Sequence, residues 1–224
     1  ITTRLVGSEM CIRDSFSLIP KFDLDPNKAA EAEEEETIER NISLSNCDNA
    51  GALLERVKGT DVYFYPLIID GSVTDLYFAF DNEIVVISPE TQGYKDFICE
   101  FFEDESTKKY SFNTKELHRL ACKLGVELKG VKGDLMLSAY LLRPSDSNYD
   151  ISHLCLEYGV KIPEFLNSLG TKDENVELAS VIKPLFEKTD ILIDDAQERQ
   201  LLENIELPLS RVLAKMEYLS LIHI

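Results

Sequence analysis

The feature that most constrains this chain is a succession of β-forming runs between residues 61 and 87. The segment DVYFYPLIID is a nearly continuous run of apolar and aromatic residues, which is typical of a strand buried on both faces. Two further runs, 76–80 and 84–87, are separated by Asp81-Asn82, and this spacing predicts a hairpin. Three strands in succession therefore predict an antiparallel meander.

Helical patterns follow these strands. Residues 91–102 place apolar side chains at spacings of three and four, at Tyr94, Phe97, Ile98 and Phe101. Asp134 and Asp150 each stand immediately before an apolar pattern of helical period, where N-capping residues are found. Two histidines, His118 and His153, lie beside the apolar stripes of their helices, and we expect both to face solvent rather than to bind a metal.

A third kind of signal is the segment KYSFNTKELHRLACKLG, in which a short strand, 109–112, leads directly into a helix. Asn113 is a suitable N-cap, and Glu116 three residues later completes the pattern of a capping box. Phe112 and Leu117 are placed to form a hydrophobic staple. Leu117 also lies on the apolar stripe, so the packing of the helix explains it.

The order of these elements indicates the fold class. Three strands followed by alternating helix and strand, and then by helices, predict an α/β fold with a mixed sheet flanked by helices. A ribonuclease-H-like layout begins in this way, with an antiparallel meander and then a strand added after a crossover helix.

Composition excludes several classes of function. The chain has 224 residues and a net charge of −18, and such an acidic surface disfavours tight binding to nucleic acid by this segment alone. No apolar run approaches the roughly 20 residues that span a bilayer, and no secretory signal is present, so we expect a cytoplasmic protein without a membrane partner. Five scattered cysteines, none at zinc-ligand spacing, are expected to be reduced thiols: Cys11, Cys47, Cys99, Cys122 and Cys155.

Both ends differ from the rest of the chain. LVGSEMCIRDS near the start and SLIHI at the end resemble translated sequencing-adapter sequence, so we expect 1–15 and 220–224 to be non-native. The segment 16–43 contains an acidic run without an apolar face and is expected to be a solvated linker.

Two segments carry a resemblance to a known family. LLENIELPLSRVLAKMEYLS is similar to the segment that joins the exonuclease-type and polymerase domains of bacterial family A DNA polymerases, the DNA polymerase I family. The stretch from NTKELHRL to HLCLEY resembles the middle of the 3′–5′ exonuclease domain of that family. The resemblance implies an exonuclease-like domain over 44–195 and the start of a polymerase domain over 196–219, whose last helix has nothing left in this chain to pack against.

The resemblance also implies a test of the chemistry, because active members hold two metal ions with acidic residues. The first motif, Asp-x-Glu, reads Tyr65-Pro66-Leu67 here, and the second keeps Asn113 but has Leu117 in place of its acid. The third, Tyr-x-x-x-Asp, is absent from 179–187, and the Tyr-x-x-x-Asp at 77–81 is treated as coincidence. We therefore expect no catalytic, cofactor-binding or metal-binding residue in this segment.

The resemblance further implies a parent protein that is a DNA-directed DNA polymerase of replication and repair, with Mg²⁺ in its polymerase domain. Expected partners are that polymerase domain in the same chain and DNA through the parent protein, which is expected to be a monomer. One alternative is an active ribonuclease-H-like 3′–5′ exonuclease that uses a rearranged set of acids, Asp61, Asp70, Glu116 and Asp134. For Asp134, helix capping is the preferred role. Another alternative is an interaction module unrelated to polymerases.

Overall fold

The computed structural model describes residues 42–165 and 172–220. The strands are β1 (Ser43–Asn46), β2 (Asp61–Ile69), β3 (Ser72–Phe80), β4 (Glu83–Ile87), β5 (Lys108–Ser111) and β6 (Val131–Asp134). The helices are α1 (Ala50–Val57), α2 (Tyr94–Glu103), α3 (Thr114–Leu124), α4 (Leu135–Leu142), α5 (Ile151–Glu157), α6 (Glu174–Ser180), α7 (Ile182–Asp195), α8 (Arg199–Leu201) and α9 (Leu207–Tyr218), with a π-helical turn at Leu202–Glu206. The expectations for 1–15, for most of 16–43 and for 221–224 lie outside the described residues.

The six strands form one mixed sheet in the order β1-β4-β3-β2-β5-β6. β2, β3 and β4 pair antiparallel, whereas β5 pairs parallel to β2 and β6 parallel to β5. The predicted meander, its hairpin at Asp81-Asn82 and the α/β class with a mixed sheet are confirmed. Three short elements, β1, α1 and β6, had no prediction because four to eight residues are too few to show a period.

Alternation along the central strands divides the core between the two faces of the sheet. On the first face, Phe64 and Phe78 stack with ring centroids 5.4 Å apart, beneath α1, α2 and α3. On the second face, Tyr63 and Tyr65 turn toward α4, α5, α6 and α7. Helices therefore cover both faces of the central strands, as the buried run in β2 predicted.

A buried lysine holds the connection between α2 and β5. Lys109 is 1% exposed, and its Nζ donates to the carbonyl oxygens of Asp104 at 2.5 Å and Thr107 at 3.2 Å. Burial lowers the pKa of Lys109 to about 8, against the opposing effect of the nearby Asp104 charge. Gly130 passes so close to this connection that a Cβ added to it would lie 2.3 Å from the Thr107 carbonyl oxygen.

The last helix packs on α3, so the expectation that it has nothing to pack against is wrong. Its buried side consists of Leu207 and the small residues Ser210 and Ala214, which allow a close approach between helices. Lys115 Nζ lies 3.0 Å from Glu217 Oε1, and Arg211 pairs with Glu127. The larger side chains of the predicted stripe, Ile205, Leu209, Val212 and Leu219, remain 42–53% exposed.

This packing also corrects the prediction for His118, which is 6% exposed instead of facing solvent. The prediction failed because the only partner considered for α3 was the sheet, whereas α9 lies over its other side. Burial, together with the positive charge of Arg211, lowers the pKa of His118 to about 4. The described helices include none that is long and apolar enough to cross a membrane.

Gly130→Ala is expected to lower the free energy of unfolding by about 3 kcal/mol or more, since the new methyl group meets a backbone carbonyl that cannot move away. Gly125→Ala is the matched control: Gly125 also has a positive φ, +74° against +71°, but a Cβ there meets nothing within 4 Å. The control should cost only the backbone strain of about 1–2 kcal/mol. Urea unfolding of both variants measures the difference, and equal losses would contradict the close approach.

His118 predicts a pH dependence of stability. The pKa of His118 falls from an ordinary 6.5 to about 4 on folding. At pH values between these two, His118 is mostly protonated in the unfolded chain and mostly neutral in the folded chain. The contribution of neutral His118 to the free energy of unfolding is fully present above about pH 6.5. It is lost as the pH falls toward 4, by about 1.4 kcal/mol per pH unit. Between pH 7 and pH 5 the unfolding free energy of the chain should fall by about 2 kcal/mol more than that of His118→Gln, whose other groups titrate identically. Parallel pH profiles for the two proteins would contradict this account.

Candidate functional site

The positions of the first motif lie in the middle of β2 and point to the second face of the sheet. Tyr65 packs against Tyr77 of β3, with ring centroids 6.1 Å apart. Leu67 packs with the same cluster, in which Phe165 and Val176 are buried. Burial raises the pKa of the Tyr65 hydroxyl, and the charges of Glu174 and Asp150 raise it further, so the phenol stays neutral. These positions supply packing and no anionic oxygen.

Leu117, where the resemblance predicted the acid of the second motif, is fully buried on the opposite face of the sheet. It packs in the cluster that contains Phe64 and Ala121, while Tyr65 packs in the clusters of the other face. The structure therefore does not bring Tyr65 and Leu117 together in one cluster. Glu116, one position earlier, accepts a hydrogen bond from Arg119 at 2.8 Å.

Asn113 occupies the predicted N-cap position of α3, but its side chain does not make the predicted capping hydrogen bond. Asn113 is the N-cap residue, but its φ of 53° is left-handed and its side chain makes no capping hydrogen bond. Glu116 pairs with Arg119 instead of closing a capping box, and Phe112 packs on the face opposite Leu117, so the staple does not form. The local pattern was overridden by a carboxylate from another part of the chain.

That carboxylate belongs to Asp134, at the end of β6. Oδ2 accepts from the Thr114 backbone N–H at 2.6 Å and from the Thr114 hydroxyl at 2.7 Å, and Oδ1 accepts from the Asn113 N–H at 3.1 Å. Oδ1 also accepts from Met136 N–H at 2.9 Å and Leu137 N–H at 3.4 Å. Burial raises the pKa of Asp134, whereas these donors act in the opposite direction.

The preferred capping role of Asp134 is thus confirmed and extended. One carboxylate, 1% exposed, occupies the N-termini of both α3 and α4, where partial positive charge favours an anion. Its two oxygens already accept five hydrogen bonds.

The segment 179–187 lies at the junction of α6 and α7 and carries no aspartate. Its buried residues are apolar: Ala179, Val181, Ile182, Leu185 and Phe186. Its one acid, Glu187, is exposed.

The acids of the rearranged set do not meet either. Asp61 begins β2 and pairs with Lys108 at 3.2 Å, while Asp70 lies in the turn after the other end of this strand. Nine residues at about 3.3 Å each place them about 30 Å apart. Asp134 is enclosed by its five donors, and Glu116 is held by Arg119.

Sequence reasoning missed one group that the fold does assemble. In the described ranges, 42–165 and 172–220, Asp146, His153 and Glu157 form the one group of three possible metal ligands, with ligand atoms within 4.8 Å of one another. The signal in the sequence was the spacing of His153 and Glu157, four residues apart and therefore on one side of a helix.

The mixed six-stranded sheet with helices on both faces defines the class of this protein: it has the ribonuclease H-like exonuclease fold. A structure described as the apo form of a nuclease superposes with a TM-score of 0.56 at 13% identity, over 80% of this chain and 94% of that one. The chain belongs to the family of the ribonuclease H-like domain of DNA polymerase I, whose family model matches residues 70–192. The resemblance of the exonuclease-type segment to this family is confirmed.

Individual relatives agree with this assignment. The chain is 28% identical over 144 residues to DNA polymerase I of Bacillus subtilis (strain 168), covering 58% of this chain and 16% of that protein. It is 26% identical over 180 residues to DNA polymerase I of Geobacillus stearothermophilus, covering 75% and 20%. The POL domain of Pol1 from M. smegmatis, in complex with DNA primer-template and dNTP, shares the fold with a TM-score of 0.61 and 24% identity over 78% of this chain and 31% of that one. The chain thus spans a fifth or less of the curated relatives.

Asp134→Ala is expected to lower the free energy of unfolding by about 3 kcal/mol or more, because it leaves buried donors of two helices without an acceptor. Asp173→Ala is the matched control, since Asp173 caps α6 alone through Asn175 and Val176 N–H groups. It should cost about 1 kcal/mol. If Asp134→Ala does not fold, Thr114→Val provides a milder test. It removes one hydroxyl donor to Asp134 and should lower the free energy of unfolding by about 2 kcal/mol. Denaturant unfolding gives all three values, and a loss at Asp134 no larger than at Asp173 would contradict its double role.

Proposed function

We propose that this chain is part of a DNA polymerase I-like protein and that its ribonuclease H-like domain does not hydrolyse DNA. Its role is structural: it supports DNA-directed DNA synthesis by a polymerase domain of the same chain, in replication and repair. The observation that carries the proposal is the packing of Tyr65 and Leu67 with Tyr77 and Val176 at the positions of the first acidic motif.

The chemistry of the reaction supports this reading. Two-metal hydrolysis needs several carboxylates around a pair of cations about 4 Å apart, and Mg²⁺ takes oxygen ligands. A leucine side chain supplies none, and a neutral phenol cannot take the place of a carboxylate. In the described part of the chain, the one group of three acidic or histidine side chains close enough to share a cation is Asp146, His153 and Glu157, and it lies outside all three motif segments.

The proposed partners follow from the family and from the surface. The net charge of −18 favours DNA contact through the parent protein rather than through this domain. The exposed apolar side chains of the last helix, among them Leu209, Val212 and Leu219, form a surface for the polymerase domain. We further propose that the parent is a cytoplasmic monomer whose Mg²⁺ lies in the polymerase domain.

The test is a nuclease assay on the 224-residue chain. End-labelled single-stranded DNA is incubated with the chain and Mg²⁺ or Mn²⁺, beside a known proofreading exonuclease as a positive control. The substrate is expected to stay at full length, because the ligands for the two cations are missing.

If the DNA is trimmed, acid variants of the chain must be compared to find the source of the activity. Loss of trimming in Asp61→Asn or Glu116→Gln, but not in Glu187→Gln, would establish the rearranged acid set and overturn the proposal. Glu187 is the control because it is exposed and is not one of the four acids of the rearranged set. Equal trimming by all variants, with Asp70→Asn included, would contradict the rearranged acid set and identify a contaminating nuclease as the source.

A further inference from the structure

Three side chains converge at the end of α4 and along α5. Asp146 lies in the loop between these helices, and His153 and Glu157 lie one turn apart on α5. His153 Nε2 is 3.2 Å from Asp146 Oδ2, and the ligand atoms of all three residues lie within 4.8 Å of one another. His153 is thus paired with Asp146, while its side chain stays 39% exposed, as expected from the sequence.

Glu157 is a largely buried member of this group, and its present partner is an exposed cation. Its side chain is 9% exposed, and its carboxylate oxygen Oε1 forms an ion pair with Arg143. Arg143 Nε contacts this oxygen, but the guanidinium side chain is 63% exposed and can move into solvent. A buried carboxylate needs a positive partner, and a coordinated cation would take over that role from the exposed guanidinium.

We propose that Asp146, His153 and Glu157 form a binding site for one divalent transition-metal ion of the zinc type. An imidazole nitrogen with carboxylate oxygens suits zinc and its neighbours, whereas Mg²⁺ takes oxygen ligands. Neighbouring ligands of a tetrahedral zinc ion, each about 2 Å from the ion, lie about 3.3 Å apart, so ligand atoms within 4.8 Å of one another must close by up to about 1.5 Å.

The metal would connect the loop at Asp146 to α5, and water would fill its remaining positions. This single-ion site is independent of the proposed loss of exonuclease activity, because it uses none of the motif positions. Arg143 would have to leave Glu157 when the cation binds, since two positive charges cannot share one buried oxygen at low cost.

The test is titration of the metal-free 224-residue chain with Zn²⁺ and with Co²⁺, followed by calorimetry and by cobalt absorption. We expect one ion per chain and a rise in Tm with Zn²⁺. His153→Gln and Glu157→Gln should each weaken binding by at least the roughly 10–100-fold that loss of a supporting residue costs at metal sites. Arg143→Gln should tighten binding, because it removes the competing cation.

Glu187→Gln, an exposed carboxylate on α7, is the matched control and should bind as the parent chain does. Circular dichroism of the metal-free variants checks that they fold. Three results would each overturn the proposal: no binding by the parent chain, unchanged binding by His153→Gln, or weaker binding by Arg143→Gln. Cobalt–thiolate charge-transfer bands would likewise overturn it, by assigning the ion to the cysteines.

Discussion

The buried carboxylate of Asp134 is the constraint on which the second half of the fold depends. It stands where β6 ends and α4 begins, and it also accepts the first N–H groups at the start of α3. Because β5 and β6 are parallel neighbours, their carboxyl ends meet at one edge of the sheet, and the helices that follow begin side by side. A single anion can therefore satisfy both helix ends and fix their relative position.

Because Asp134 fixes the start of α3, it also determines what the two sides of this helix contact. Leu117 faces the sheet and fills the first core, whereas His118 faces α9. A neutral histidine is tolerated there because burial and Arg211 keep it unprotonated at neutral pH. The docking of the last helix thus rests on the same helix start, through small residues such as Ala214 that bring the two backbones close.

Sequence reasoning predicted the features that depend on period and on strong turn signals. The meander, the hairpin at Asp81-Asn82 and the helix starting after Asp134 follow from local patterns. It failed where a distant group replaced a local one: Asn113 looked like a capping residue, but Asp134 supplies the acceptor from 21 residues away. His118 was misplaced for the same reason, since its burial depends on α9. Asp146 lies near His153 because of the path of a loop, and the path of a loop cannot be predicted from the periodicity of the sequence.

Two-metal hydrolysis by a domain of this fold depends on the carboxylates that hold the cations, and these carboxylates also affect the stability of the fold. A two-metal centre forces several carboxylates into proximity, and their mutual repulsion destabilises the fold whenever the cations are absent. With Tyr65 and Leu67 in those positions, the side chains bury apolar area at about 25 cal/mol per Å² and add no anion to the region. On the function proposed here, the exchange converts a site that required cations into packing that holds the second face of the sheet together without them. The carboxylates of Asp146 and Glu157 escape that repulsion differently, since His153 and Arg143 lie against them.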